Sequence, residues 1–191
     1  MQSTRCRQPL KNKIDVHLAT KEDLEAIETL MKRSMRILGQ GHYSEQQIKS
    51  CYQYVCVPEL QLILDQTFFV AVSDEMIVGC GGWSFRRTLY AGPSKSSQET
   101  TILNPEKDPA RIRAMFIEPS ESGKGIGSLI LSQSEKAARE RGFRKGVLGA
   151  TLSGLAFYKS KGWSSIAHEP ATLPDGTIID VVRMEKVFNE R

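Results

Sequence analysis

The sequence predicts a single domain of the α/β or α+β class, in which helices pack on both faces of a mixed central sheet. Strand-like segments with period-two alternation, such as residues 14–19, are interleaved with amphipathic helical segments such as residues 24–38. Turn-forming residues at 73–75 and 174–176 each separate two strand-like segments, as in hairpins. Strands and helices that meet at such intervals fit a layered sheet-and-helix domain.

Length and composition set the class of protein. The 191 residues include 40% hydrophobic and 25% charged side chains, which is ordinary for one globular domain. The net charge of +4 is scattered, whereas a nucleic-acid-binding surface would show clustered Lys and Arg. We therefore expect residues 1–13 to form a flexible tail and residues 14–191 to form one domain that does not bind nucleic acid.

The expected compartment is the cytoplasm. The first 13 residues lack the apolar core of a secretory signal, and no apolar run approaches the ~20 residues that span a bilayer. No pair among Cys6, Cys51, Cys56 and Cys80 has the two-residue spacing of a zinc or redox site. The sequence thus predicts free thiols, no metal and no membrane association, with the last three cysteines as small core residues.

Two helices follow the first strand. Thr20 and Asp23 form a variant of the capping box, and the helix that follows should end at Gly39. Ser44 is expected to cap a second helix that ends near Val57.

A hairpin comes next, with strands at 67–72 and 76–83. Its second strand contains Gly79, Gly81 and Gly82, and glycine inside a strand indicates a bulge or the close approach of another backbone.

A polar loop at residues 86–109 follows, and its length leaves two interpretations open, a loop that controls substrate access and a disordered excursion. Beyond it the patterns predict alternating strands and helices. These are a strand at 111–117, a helix at 125–141, a strand at 145–150, a short helix at 155–161 and strands at about 164–171 and 177–187.

The junction between the strand at 111–117 and the helix after it carries the most chemical information. Gly123, Gly125 and Gly127 lie in this junction. Helix N-termini have unpaired N–H groups and partial positive charge, and glycines let the backbone close around an anion. The sequence therefore predicts a pyrophosphate cradle for a phosphorylated cofactor or a nucleotide.

Two common phosphate-binding motifs do not fit this loop. In a P-loop, Gly-Lys is followed by Ser or Thr, but Gly123-Lys124 is followed by Gly125. The dinucleotide fingerprint needs Gly-x-Gly-x-x-Gly, whereas the order here is Gly-x-Gly-x-Gly. For an isolated motif of this kind, a glycine-rich helix start without a ligand is the alternative.

At these residues the sequence resembles the GNAT superfamily of acetyltransferases. The family's central motif is Arg/Gln-x-x-Gly-x-Gly/Ala after a strand that ends in aromatic-apolar-x-Pro. It is similar to Phe116-Ile-Glu-Pro119 and Ser122-Gly-Lys-Gly-Ile-Gly127. A second family motif is similar to Ala156-Phe-Tyr158 with Gly162-Trp163, and the likeness extends from about Ile14 to Val187. The departure is Ser122, where the family usually has Arg or Gln, which weakens a side-chain contact but keeps the backbone amides.

The resemblance implies a mainly antiparallel sheet and acetyl-CoA as cosubstrate. In the family, the strands equivalent to 111–117 and 145–150 splay apart, and the pantetheine arm enters the gap and pairs with the first of them. Unpaired backbone groups on a splayed strand suit this role. The residues implied to bind the cofactor are Met115, Phe116, Ile117, Ser122, Gly123, Lys124, Gly125, Ile126, Gly127 and Ser128.

The implied reaction is transfer of the acetyl group to a primary amine by direct attack in a ternary complex. Tyr158 is implied as the acid that protonates the departing thiolate, since a phenol with a pKa of about 10 keeps its proton at neutral pH; a packed tyrosine is the alternative. Many family members carry a glutamate base where Arg111 stands here, so that role does not transfer. Glu118, His42, His168 and a water chain remain as candidate bases.

The acceptor is weakly encoded, and both small-molecule amines and protein amines remain open. The resemblance implies that it binds near residues 38–54, 83–90 and 166–177, where Tyr43, Trp83 and Arg86 are candidate lining residues. It also allows a homodimer. Rival functions are a non-catalytic acyl-CoA sensor of the same fold, a nucleotide-binding protein, and transfer of a longer acyl group or to a hydroxyl acceptor.

Overall fold

The structure is a computed structural model that describes residues 13–87 and 101–188. The predicted tail with Cys6, and residues 88–100 of the predicted loop, lie outside the described residues. The described strands are β1 Asp15–Leu18, β2 Phe68–Ser73, β3 Met76–Ser84, β4 Ala110–Ile117, β5 Lys145–Thr151, β6 Ser164–His168, β7 Ala171–Thr172, β8 Ile178–Ile179 and β9 Val181–Val187. The α-helices are α1 Leu24–Leu38, α2 Glu45–Tyr54, α3 Leu60–Leu64, α4 Ile126–Glu140 and α5 Leu155–Ser160.

Seven strands form one twisted sheet in the order β1-β2-β3-β4-β5-β9-β6, and β7 pairs with β8. All neighbours in the seven-stranded sheet are antiparallel except β4 and β5, which are parallel. The prediction of a mixed, mainly antiparallel sheet is confirmed. The parallel pair is joined through α4, as a crossover between parallel strands requires.

Helices cover both faces of this sheet because successive residues of a strand point to opposite sides. On one face, α1, α2 and α3 pack on residues such as Val70 and Cys80. On the other face, α4 packs on Ala71 and Val78 through Ile126 and Ile130. We call the face under α1 to α3 the acceptor face and the opposite one the α4 face.

Local signals in the first helices act as predicted. Thr20 and Asp23 form the capping box before α1, and α1 ends at Gly39. Ser44 caps α2, with its hydroxyl accepting a hydrogen bond from the Gln47 N–H. The helix stops at Tyr54, three residues earlier than expected.

Three boundaries differ from the sequence expectations. Helix α3 at Leu60–Leu64 was not predicted, because five residues are too few to show a helical period. The two expected terminal strands are each interrupted. The first breaks at residues 169–170, where Pro170 has no N–H for pairing, and the second breaks at Asp180.

The glycines of β3 are explained by three separate close approaches. A Cβ at Gly79 would lie 2.7 Å from the Ile126 side chain of α4, and one at Gly81 would lie 2.2 Å from the Met115 sulfur. A Cβ at Gly82 would lie 2.3 Å from the carbonyl oxygen of Thr67. The predicted bulge in β3 is also present, because one step along β2, from Ala71 to Val72, matches two steps along β3, from Gly79 to Ile77.

Gly82→Ala should destabilise the protein, because the added methyl group meets backbone atoms of β2 that cannot rotate away. Overpacking of this kind costs about 1–3 kcal/mol, or roughly 3–10 °C in melting temperature. Thermal unfolding measures the loss. Gly154→Ala is the control, since its Cβ would meet only side-chain atoms, at 3.3 Å. Equal melting temperatures for the two variants would contradict the close contact.

Cys51, Cys56 and Cys80 are fully buried, as predicted. No described helix has the length and apolar character needed to cross a bilayer. Within residues 13–87 and 101–188, no group of three or more His, Cys, Asp or Glu side chains is arranged to hold a metal ion.

Candidate active site

Strands β4 and β5 separate soon after they begin. They pair only at Ala110 with Gly146 and at Arg111 with Val147, while β5 stays paired with β9 along its whole length. From residue 112 to residue 117, no described strand lies beside the β4 edge that faces β5. The predicted splay is confirmed, and it leaves a row of backbone donors and acceptors available to a ligand.

A bulge in β4 lies at this gap. Cys80 pairs with Phe116 and Gly82 with Arg113, so two steps along β3 match three along β4. Ala114 takes up the difference with φ 51°, a left-handed conformation that is uncommon for a residue with a side chain. Such strain is concentrated at functional sites. Gly81 leaves room for the Met115 side chain beside the bulge, and a side chain at position 81 would displace the Met115 sulfur.

The glycine loop between β4 and α4 forms an open cradle. Gly123 and Gly125 adopt left-handed conformations with φ 80° and 90°, and apart from their chain neighbours no described residue has an atom within 4 Å of a Cβ built on either. The first bond of α4 runs from the Leu129 N–H to the Gly125 carbonyl oxygen, at 3.1 Å. The N–H groups of residues 126–128 therefore precede the helical ladder and point to the cradle, where they can bind an anion. The Lys124 N–H is different, because it donates to the Glu121 carbonyl oxygen at 3.3 Å.

One cavity of about 560 Å³ joins the cradle, the strand gap and the acceptor face. It contains nine of the ten predicted cofactor residues, namely Met115 to Ile117, Ser122, Gly123 and Gly125 to Ser128. Lys124 is the exception, since its ammonium group pairs with Glu121 at 2.8 Å and is not part of the lining.

Tyr158 lies on the wall of the same cavity. It belongs to α5, and its ring contacts Phe157 and Trp163 edge to face, with centroids 5.1 and 6.3 Å away. Burial raises the pKa of the Tyr158 hydroxyl, because the apolar surroundings disfavour the phenolate. The side chain therefore keeps its proton at neutral pH.

The opposite end of the cavity, on the acceptor face, contains a charged pair that the sequence analysis did not identify. Glu59 precedes α3 and forms an ion pair with Arg113 of β4, and both line the cavity. The Arg113 side chain is 5% exposed. The sequence feature that could have indicated this pair is the presence of two charged residues, Arg111 and Arg113, in an otherwise apolar strand.

The three candidate bases occupy different places. His42 lines the acceptor end of the cavity, next to the end of α1. Glu118 pairs with Arg33 at 3.3 Å, and His168 pairs with Asp180 at 3.2 Å. Neither Glu118 nor His168 is part of the cavity lining.

Three residues proposed to line the acceptor site have structural roles instead. The Tyr43 hydroxyl donates to the Asp180 carbonyl oxygen and accepts from the Leu152 N–H, both at 2.9 Å. Trp83 is buried in the core on the α4 face, because its position in β3 points there. Arg86 forms two hydrogen bonds of 2.7 Å with Asp65.

Comparison with solved structures shows that the fold of this chain is similar to that of several N-acetyltransferases. A GCN5-related N-acetyltransferase from Rhodopseudomonas palustris matches with a TM-score of 0.72 and 16% identity over 95% of this chain and 100% of that one. The PaiA N-acetyltransferase from Thermoplasma acidophilum in complex with coenzyme A gives 0.66 and 20% over 92% and 99%. Ribosomal-protein-alanine N-acetyltransferase from Brucella melitensis gives 0.60 and 16% over 91% and 99%. A search of curated protein sequences found no match.

The family assignment rests on sequence as well as on fold. A family profile described as the acetyltransferase (GNAT) domain matches residues 65–165, just over half of the chain. The match runs from the end of α3 to the start of β6, and so includes the glycine cradle, the splayed strands and Tyr158. The chain belongs to the GNAT family of acetyltransferases.

Proposed function

We propose that the protein transfers an acetyl group from acetyl-CoA to a primary amine, by direct attack of the amine within a ternary complex. The observation that carries this proposal is the single cavity that connects an anion cradle, an unpaired strand edge, a proton donor and an open acceptor end. Each of these four parts meets one requirement of the reaction, and all four line the same cavity.

The residues present fit acetyl-CoA. Backbone N–H groups of Gly123 and of Gly125 to Ser128 would bind the pyrophosphate, and the open space before Gly123 and Gly125 admits it. The free edge of β4 near Met115 and Ile117 would pair with the amides of the pantetheine arm. Ser122 lines the cavity and keeps a hydroxyl there, although it lacks the reach of Arg or Gln.

When bound, acetyl-CoA supplies an acyl group activated as a thioester. Holding the amine and this group in line accounts for several kcal/mol of the lowered barrier. The amine must lose a proton, and the sulfur must gain one as the carbon–sulfur bond breaks. Tyr158 holds a proton at the cavity wall, and its burial keeps that proton in place.

The acceptor enters from the end lined by His42, Glu59 and Arg113. Val55 and Val57 add apolar lining to this end. Small-molecule and protein amines both fit the proposal.

Thermal unfolding with and without acetyl-CoA tests it. A ligand at about 100 times its dissociation constant stabilises a protein by ~2.7 kcal/mol, which is roughly 5–10 °C for a chain of this length. ATP and NADPH are the controls. We expect a shift with acetyl-CoA alone, followed by thiol release when amines are added. A shift with ATP or NADPH but not with acetyl-CoA would overturn the proposal.

A further inference from the structure

The acceptor face carries three neighbouring arginines. Arg113 lines the cavity, whereas Arg111 and Arg183 adjoin the lining residues Ile112 and Gly149 and are not part of the lining themselves. Arg111 and Arg113 lie on β4, and Arg183 lies on β9, with β5 between the two strands. Ile112 and Met184 belong to the core on the α4 face. Because successive residues of a strand point to opposite faces, their sequence neighbours Arg111, Arg113 and Arg183 lie on the acceptor face. Arg111 is next to Val147 in the sheet, and Arg183 is paired with Gly149, which lines the cavity.

Two of the three arginines are neutralised by carboxylates. Arg113 is ion-paired with Glu59. Arg183 contacts Glu185 at 3.2 Å and Glu169 at 3.6 Å. Its Nε is buried and makes no hydrogen bond in the described part of the chain.

Arg111 differs from these two arginines. Among residues 13–87 and 101–188, no carboxylate lies within ion-pair distance of its guanidinium, and its Nε is buried without a hydrogen bond. The negative charge of Asp108 raises the pKa of Arg111 through space, but the Asp108 carboxylate accepts a hydrogen bond from the Asn104 N–H at 2.8 Å. Burial lowers the pKa of Arg111, and the charge of Arg183 lowers it further. A partly buried cation without a counter-charge is costly, and a ligand anion would remove that cost.

We propose that Arg111 binds a carboxylate of the acceptor, so that the enzyme acetylates amines that also carry this anionic group. The inference rests on the proposed acetyl transfer and specifies its substrate class. A guanidinium matches a carboxylate with two parallel hydrogen bonds, and one unpaired cation balances one negative charge.

The spacing along β4 sets the distance between the two groups of the acceptor. Arg111 and Met115 are four residues apart, and because the bulge at Ala114 takes up one of these residues, the rise along the strand is about 10 Å. The arginine side chain spans part of that length. The carboxylate therefore lies several bonds from the reacting amine, as in 6-aminohexanoate or the side-chain amine of lysine, and unlike an α-amino group next to its own carboxylate.

The first test compares 6-aminohexanoate with 6-aminohexanamide as acceptors, which differ in one charge and not in length. We expect kcat/KM to be about tenfold or more higher for the carboxylate, mainly through KM, as for a charge-assisted pair. Arg111→Met should reduce the ratio between the two acceptors to near one. Lys145→Met is the matched control, since it removes an exposed cation from the neighbouring strand and should keep the wild-type ratio.

The second test needs no turnover. With coenzyme A present, the product 6-acetamidohexanoate should raise the melting temperature of the wild type more than 6-acetamidohexanamide at equal ionic strength, and this difference should vanish in Arg111→Met. Equal stabilisation by the two compounds in the wild type, or a difference that survives in Arg111→Met, overturns the inference. If acetyl-CoA itself gives no thermal shift, the proposed function fails first, so the two failures are distinguishable.

Discussion

Gly125→Val is expected to abolish acetyl-CoA binding in a protein that still folds. Gly125 has φ 90° and faces open space in the cradle, so a valine side chain would project into the volume that the pyrophosphate needs. Each charge-assisted hydrogen bond from a backbone N–H contributes about 1.5–3 kcal/mol. Losing two of them weakens binding by roughly 3–6 kcal/mol, more than 100-fold in the dissociation constant. Calorimetry or thermal shift with acetyl-CoA measures this loss.

The control for this variant separates the effect of backbone strain on stability from the effect of the side chain on cofactor binding. A non-glycine residue at such a φ costs about 1–3 kcal/mol of stability wherever it occurs. Gly176 has φ 83°, also faces open space and lies in the turn between β7 and β8, outside the cavity lining. Gly176→Val should lose similar stability and keep its affinity for acetyl-CoA. Gly125→Ala is the milder variant if the valine form does not fold. Near-normal affinity in a folded Gly125→Val would show that the loop does not hold the pyrophosphate.

Much of the fold was predictable because its local and long-range signals agree. The capping residues Thr20 and Ser44 start their helices as expected, and the glycines of β3 occur where other atoms approach the strand. Periodicity alone could not predict α3, which has only five residues, nor the breaks at residues 169–170 and 180, which depend on pairing across the sheet. The bulge at Ala114 was also beyond a local pattern, because it is defined by register against β3.

The candidate site was predictable on its cofactor side and not on its acceptor side. Loop glycines are a contiguous motif, and their conformations follow from local chemistry. The acceptor end combines His42, Glu59 and Arg113, which are far apart in sequence and share no motif. Trp83 and Arg86 could be named only as candidates, because a sequence does not distinguish a buried or ion-paired side chain from one that binds a ligand.

Tyr158→Phe is expected to lower the rate of acetyl transfer by roughly 100-fold with little change in acetyl-CoA affinity. Positioned general acids contribute about 10²–10⁴-fold. The phenylalanine ring keeps the edge contacts with Phe157 and Trp163, so only the donor is lost. Single-turnover kinetics with acetyl-CoA in the active site separate this chemical step from product release.

The burial of Tyr158 also predicts a pH profile. An isolated phenol has a pKa of about 10, and burial raises that of Tyr158 because the phenolate would lose its solvation. The proton donor is therefore still present when the pH approaches 10. The single-turnover rate of the wild type should keep rising with pH as a lysine-like amine, with a pKa of about 10.4, loses its proton.

Tyr54→Phe is the control, since it removes a phenol from α2 that does not line the cavity. It should behave as the wild type in both rate and pH profile. If Tyr158→Phe also kept the wild-type rate under single-turnover conditions, the hydroxyl would have no part in the chemistry. The burial of Tyr158 would then be explained by its packing between α5 and the core on the α4 face.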